Sequence, residues 1–165
     1  MRAMRAITTT VSETVAAPPR RVFDAARGLD IPATMRRHGP LPGVASIAGH
    51  MGPYSAPGEV KLLTLTDGSS VREELTAFAP ENSYAYRLDG FTGPFAALVA
   101  RGDAEWRFSA VNPGETRIEW TYGFTPKSAA TAPAVWLVVK GLWPGYMRAA
   151  LRRLKTEIEG VAGKR

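Results

Sequence analysis

The stretch "VVKGLWPGYMRAALRRLK", residues 138–155, reads as an amphipathic helix with two breakers in its middle, Pro144 and Gly145. A proline inside a helix removes an amide donor and clashes with the preceding turn, at a cost of roughly 3 kcal/mol. A glycine adds roughly 1 kcal/mol relative to alanine. Around them Val135, Val138, Val139, Leu142, Tyr146, Met147, Ala150, Leu151, Leu154 and Ile158 recur at steps of three and four, the spacing of one long buried helical stripe. Two readings of the interruption follow. Either the helix bends or divides there, beside a portal, or Pro144 opens a second helical segment, where its missing donor costs little.

Working back from this helix, the chain is a succession of strands separated by turn signals. "ITTTVSETV" (7–15) alternates, with Ile7, Thr9, Val11, Glu13 and Val15 on one face. "AAPPRRVFDAARG" (16–28) opens a short helix at its prolines, buries Val22, Phe23 and Ala26, and stops at Gly28. Residues 29–43 give one helical turn and a Pro/Gly loop. The segments "VASIAGHM", "EVKLLTLT", "SVREELTAFA", "SYAYRLDGF", "ARGDAEWRFSAV" and "TRIEWTYGFT" are the next strands, joined by turns such as "DGS", "PEN" and "NPGE". "TGPFAALV" is an irregular apolar stretch before the sixth strand. Short turns between neighbours make an antiparallel meander. The fold class is therefore α+β, a sheet covered on one face by the long helix.

Composition narrows the functional classes. The 165 residues suit one domain, with 45% hydrophobic and 22% charged residues, as in globular chains. There is no cysteine, which excludes a disulfide framework, a thiolate metal site and a cysteine nucleophile. The N-terminal "MRAMRAITTTVSETV" lacks the apolar core of a secretory signal, and no stretch has the ~20 apolar residues of a membrane span. The expectation is a cytoplasmic protein. The net charge of +6 comes from arginines scattered over several segments, so solvated faces explain it and no nucleic-acid partner is expected. His38 and His50 stand apart from any Asp/Glu spacing that would hold a metal. No Gly-x-Ser-x-Gly elbow and no phosphate loop occurs, so no metal and no cofactor is expected.

Several strings in order resemble the START/Bet v1-like (SRPBCC) superfamily, in its polyketide cyclase/dehydrase and lipid-transport branch. They are "VAAPPRRVFDAA", "DGSSVREELTAFAPENSYAYRL", "GETRIEWTYGFTP" and "LRRLKTEIEG", spanning about Ile7 to Gly160. The resemblance implies a helix-grip fold: a curved antiparallel sheet of about seven strands wrapped around a long C-terminal helix, with short helices after the first strand. It implies a single domain over 1–165, with its core at about 7–160, and an apolar cavity between sheet and helix. It does not fix a reaction, because one fold hosts binders, carriers and enzymes.

Strand parity names the expected cavity lining. Tyr84, Tyr86 and Leu88 share a face, as do Ala104, Trp106 and Phe108, and Ile118, Trp120, Tyr122 and Phe124. The second and third strands give no clean parity. Buried Trp and Tyr need hydrogen-bond partners, which suits an amphipathic pocket better than a dry core. From the helix, Trp136, Val139, Trp143, Tyr146 and Met147 supply the opposite wall, and methionine adapts to varied ligands. Candidate chemistry is sparse. Glu73 shares parity with Val71 and Leu75 and points inward, where desolvation would raise its pKa and fit it for acid/base work. Glu13 has a weaker version of the same case, and His50 is a second candidate acid/base. The leading expectation is a binder of a small hydrophobic molecule (lipid, polyketide-like or aromatic). The alternative is a polyketide cyclase, aromatase or dehydratase using the same cavity. An interaction module acting through the basic surface ranks third. Monomer and homodimer are both open.

Overall fold

The computed structural model describes residues 3–162. Its elements are β1 (Ile7–Val15), α1 (Pro19–Arg27), α2 (Ile31–Thr34), β2 (Val44–Gly49), β3 (Val60–Leu65), β4 (Ser70–Ala79), β5 (Ser83–Asp89), a 3-10 turn (Pro94–Ala97), β6 (Val99–Asn112), β7 (Glu115–Pro126), α3 (Ala132–Leu137), a π turn (Val138–Leu142) and α4 (Trp143–Ala162). The seven strands form one sheet in the order β1-β7-β6-β5-β4-β3-β2. Every neighbouring pair is antiparallel. The meander from β2 to β7 and the α+β class are as the turn signals predict.

One consequence of this order positions the site. β1 and β2 follow each other in sequence but lie at opposite edges of the sheet, so the α1–α2 segment between them must cross the sheet's open side. Register shifts at Leu75/Ala77, Val99/Arg101 and Ala110/Asn112 mark bulges, which bend strands and sharpen sheet curvature. The concave face holds the buried side chains. β5 alternates without a break, and on β7 Ile118, Trp120 and Phe124 are almost fully buried. The convex face carries paired surface charges such as Arg87–Asp103 (3.7 Å) and Arg101–Asp103 (2.9 Å). Such exposed pairs contribute about 0–1 kcal/mol each. They keep the outer face wet, and so fix which face is inner.

The C-terminal helix packs along β1 and against α1 and α2. Its interruption is resolved in favour of the second reading: Pro144 lies in the first turn of α4. Immediately before it, the Trp143 N–H donates to the Val138 carbonyl five residues back. That wider turn relieves the clash between a proline ring and the carbonyl four residues before it. Backbone angles at Val138 and Trp143 stay helical, so helical backbone continues from α3 through one wider turn into α4. Gly145 has a separate reason. A Cβ there would lie 2.9 Å from Nε2 of His38, so the missing side chain admits the 35–43 loop against the helix.

Candidate functional site

Between the concave sheet and the helix lies a cavity of about 380 Å³. Its floor is the aromatic face of β5–β7, formed by Tyr84, Tyr86, Trp106, Trp120, Tyr122 and Phe124. Val138, Leu142, Trp143 and Tyr146 form the helical wall, and residues from Met35 to Val44 cross above it. Pro40, Asp67, Thr92, Pro94 and Leu142 line the cavity yet are exposed, which marks the mouth. The mouth thus lies beside the irregular 91–98 stretch and the π turn.

The two indoles of the aromatic floor find their partner within it. The indoles of Trp106 and Trp120, opposite each other in the β6–β7 register, stack with centroids 4.4 Å apart. Both Nε1–H groups donate to the Tyr86 hydroxyl, at 3.4 and 3.2 Å. Accepting two N–H groups leaves Tyr86 one proton to donate elsewhere. Burial, then the nearby Glu73 charge, push its pKa upward, so this proton is held across the physiological range. Tyr122 and Tyr84 are likewise raised, by burial first.

A polar corner stands at the β3–β4 end. Glu73 is buried on β4, and Lys61, 3% exposed, is its register partner on β3. The Tyr54 hydroxyl donates to Glu73 Oε1 at 2.8 Å. Lys61 Nζ lies 4.3 Å from the Tyr54 ring centroid, a cation–π distance. Desolvation dominates both charges: it raises the Glu73 carboxyl against the opposing effects of Tyr54 and Lys61, and it lowers Lys61 against the pull of Glu73 and Glu59. Tyr146 closes the far side, its hydroxyl donating to the Pro42 carbonyl at 3.0 Å and pushed up to about 12 by burial.

Of the residues expected to line the cavity, Tyr84, Tyr86, Trp106, Trp120, Tyr122, Phe124 and Trp143 face it, and so does Glu73. Phe108 is buried outside it, edge-on to Phe23 of α1. Val139 and Met147 are fully buried beside the sheet rather than in the cavity wall. Trp136 corrects the expectation most clearly: it is 53% exposed, turned to solvent. The apolar stripe itself gives the physical reason: Val135, 1% exposed, takes the inward position on α3, and Trp136, one residue further and so about 100° round the helix, lies off that stripe. His50 also lies outside the lining. Its ring stacks on the outer side of Tyr54 (5.9 Å), and its Nε2–H donates to the Pro53 carbonyl at 3.1 Å. Glu13 accepts from Lys155 Nζ at 3.1 Å, away from the cavity.

Sequence reading missed Lys61 and Tyr54. Lys61 alternates with Leu63 and Leu65, the inward face of β3, but Val60, Leu62 and Thr64 opposite are equally apolar in character and hide the parity. Tyr54 sits in the "GPYSAPG" turn, where no periodicity operates.

The sheet, the gripped helix and the enclosed cavity define the START/Bet v1-like class of proteins. Residues 6–159 match the model of the family described as polyketide cyclase / dehydrase and lipid transport, and the chain belongs to that family. Among solved structures, Ara h 8.0201 superposes with a TM-score of 0.67 at 24% identity, covering 94% of this chain and 99% of its own. The Zhui aromatase/cyclase from Streptomyces sp. R1128 gives 0.68 at 17% identity, with 94% of each chain covered. A protein from Nitrosospira multiformis gives 0.65 at 20% identity, covering 92% of this chain and 96% of its own. At such identities the likeness establishes the fold alone. No curated protein matches the chain significantly. Among the described residues, no helix is long and apolar enough to cross a membrane.

Proposed function

We propose that the protein binds one small hydrophobic molecule in the cavity between sheet and helix. The observation that carries this reading is the cavity itself: about 380 Å³ of space walled by aromatic side chains, with a few polar groups gathered at one corner. Ligand pockets of roughly 300–1,000 Å³ with this mixture are the usual form of a small-molecule site. The lining aromatics Tyr84, Tyr86, Trp106, Trp120, Tyr122, Phe124 and Trp143 supply the contact area. Native mass spectrometry of the protein as purified from cells tests the proposal. A stoichiometric small-molecule adduct, released on denaturation, is the expected result. An empty protein that also takes up no apolar probe overturns it.

A second reading, an aromatase/cyclase or dehydratase, is favoured by one observation. Glu73 is a buried carboxyl pushed toward protonation and hydrogen-bonded to Tyr54 in the cavity wall, the setting that fits a carboxyl for proton transfer near neutrality. In this reading the cavity also folds the substrate by proximity. Ligand binding retained in Glu73→Gln with turnover lost would separate the enzyme from the carrier.

A further inference from the structure

The polar corner contains an amine without a hydrogen-bond acceptor. Lys61 is 3% exposed, lines the cavity, and touches the Tyr54 ring face. Among the described residues its Nζ makes no hydrogen bond and no ion pair, although its three N–H groups are strong donors. Glu73, its register partner, spends Oε1 on the Tyr54 hydroxyl. The other charged side chains of the lining are committed near the rim. Arg27 donates to Asp24 at 2.9 Å and to the Tyr54 carbonyl at 3.0 Å, and Asp67 accepts from the Ser69 amide at 2.8 Å. The interior therefore holds one potential cation and one potential anion, which balance.

This balance limits what can enter. A ligand bringing its own buried carboxylate would leave one negative charge uncompensated, the costly case for charges removed from water. A ligand without polar atoms would leave the Lys61 donors unmet. Building on the cavity-binding reading above, we infer that the site selects a ligand whose inner end carries a neutral, hydrogen-bond-accepting oxygen, such as a ketone carbonyl. Lys61 Nζ donates to that oxygen, and the apolar body of the ligand lies toward Phe91, Phe95 and Leu142 at the mouth. The Nε1–H of Trp143, buried in the lining and without a partner among the described residues, offers a second donor from the helical wall. Lys61 is thus the specificity-determining residue, and Glu73 the group that makes the corner neutral.

Three probes of one shape test this: acetylnaphthalene (neutral acceptor), ethylnaphthalene (no acceptor) and naphthoate (anion). Their affinities are measured by calorimetry at neutral pH on the wild type, Lys61→Met and Lys61→Met/Glu73→Gln. The ketone is expected to bind about tenfold or more tightly than the hydrocarbon in the wild type, with naphthoate weaker than the ketone. Both variants should lose the ketone preference while keeping hydrocarbon affinity, which also reports that the cavity is folded. The double variant stands in if burying Glu73 without Lys61 prevents folding. Equal binding of ketone and hydrocarbon by the wild type, a ketone preference surviving in the variants, or naphthoate binding as tightly as the ketone overturns the inference and leaves the cavity reading intact. If none of the three binds the wild type, this inference is overturned, and a protein that is also empty as purified overturns the cavity reading with it.

Discussion

Glu73 shows how one residue's surroundings set its chemistry. It is buried on the inner face of β4, and desolvation outweighs the Tyr54 hydrogen bond and the Lys61 charge in raising its pKa. A carboxyl whose folded pKa exceeds its unfolded one stabilises the fold fully below the unfolded value, and that contribution is lost as pH rises through the folded value. Glutamine does not titrate. The stability difference between Glu73→Gln and wild type should therefore move in the variant's favour as pH is raised from the ordinary glutamate range through neutrality. Lys61 works in the same direction. Its pKa is lowered by burial, and losing the Glu73 charge lowers it further. Denaturant titrations at several pH values check the slope, and a difference that stays constant or moves in the wild type's favour as pH rises would mean Glu73 is not desolvated.

At the scale of elements, the junction between the 35–43 loop and α4 governs the mouth. Two glycines lie there in different circumstances. A Cβ at Gly43 would meet backbone atoms, with the Arg37 nitrogen at 2.5 Å and the Met35 carbonyl oxygen at 2.7 Å. Backbone cannot rotate away, so Gly43→Ala should destabilise by about 1–3 kcal/mol, as overpacking does, and weaken ligand binding by displacing the loop. At Gly145 the conflict is with the ring of His38, an exposed side chain free to turn. There alanine's better helix propensity competes, and Gly145→Ala should be neutral or stabilising by up to about 1 kcal/mol. Thermal unfolding of the two variants tests the contrast. Equal destabilisation would show that His38 is held in place. The π turn belongs to this scale too: it accommodates Pro144, and it places Leu142 and Trp143 beside the cavity.

For the whole molecule, ligand binding and folding are one equilibrium, because the cavity is walled by the sheet, the crossing segment and the helix together. A ligand that binds only the folded state at a hundred times its Kd adds about 2.7 kcal/mol. For a domain of this size that is a rise in Tm of roughly 5–10 °C. Differential scanning fluorimetry with acetylnaphthalene should show it, with intrinsic tryptophan emission shifting in parallel because Trp106 and Trp120 line the cavity. A Tm unmoved at high probe concentration would mean the folded state does not bind the probe in preference to the unfolded one.

What the sequence determined by itself was the element order and the inner faces of β5–β7, since a strand's period of two assigns sides wherever apolar and polar residues alternate, as they do from Tyr84 to Leu88 and from Ile118 to Phe124. The aromatic floor and the inward Glu73 were legible for that reason. Lys61 was not, because β3 is apolar on both faces, and Tyr54 was not, because a turn has no period. The phase of the C-terminal helix was legible on both sides of Pro144, from Val135 to Ile158, and only Trp136, which lies off that stripe, was misplaced. Tertiary structure alone decided that Tyr54, Lys61 and Glu73 meet at one corner of the cavity. Sheet pairing and the β2–β3 connection bring together side chains that lie 7 to 19 positions apart in the chain. It also decided that space remains between floor and helix, a quantity set by packing and not by the identity of any one residue.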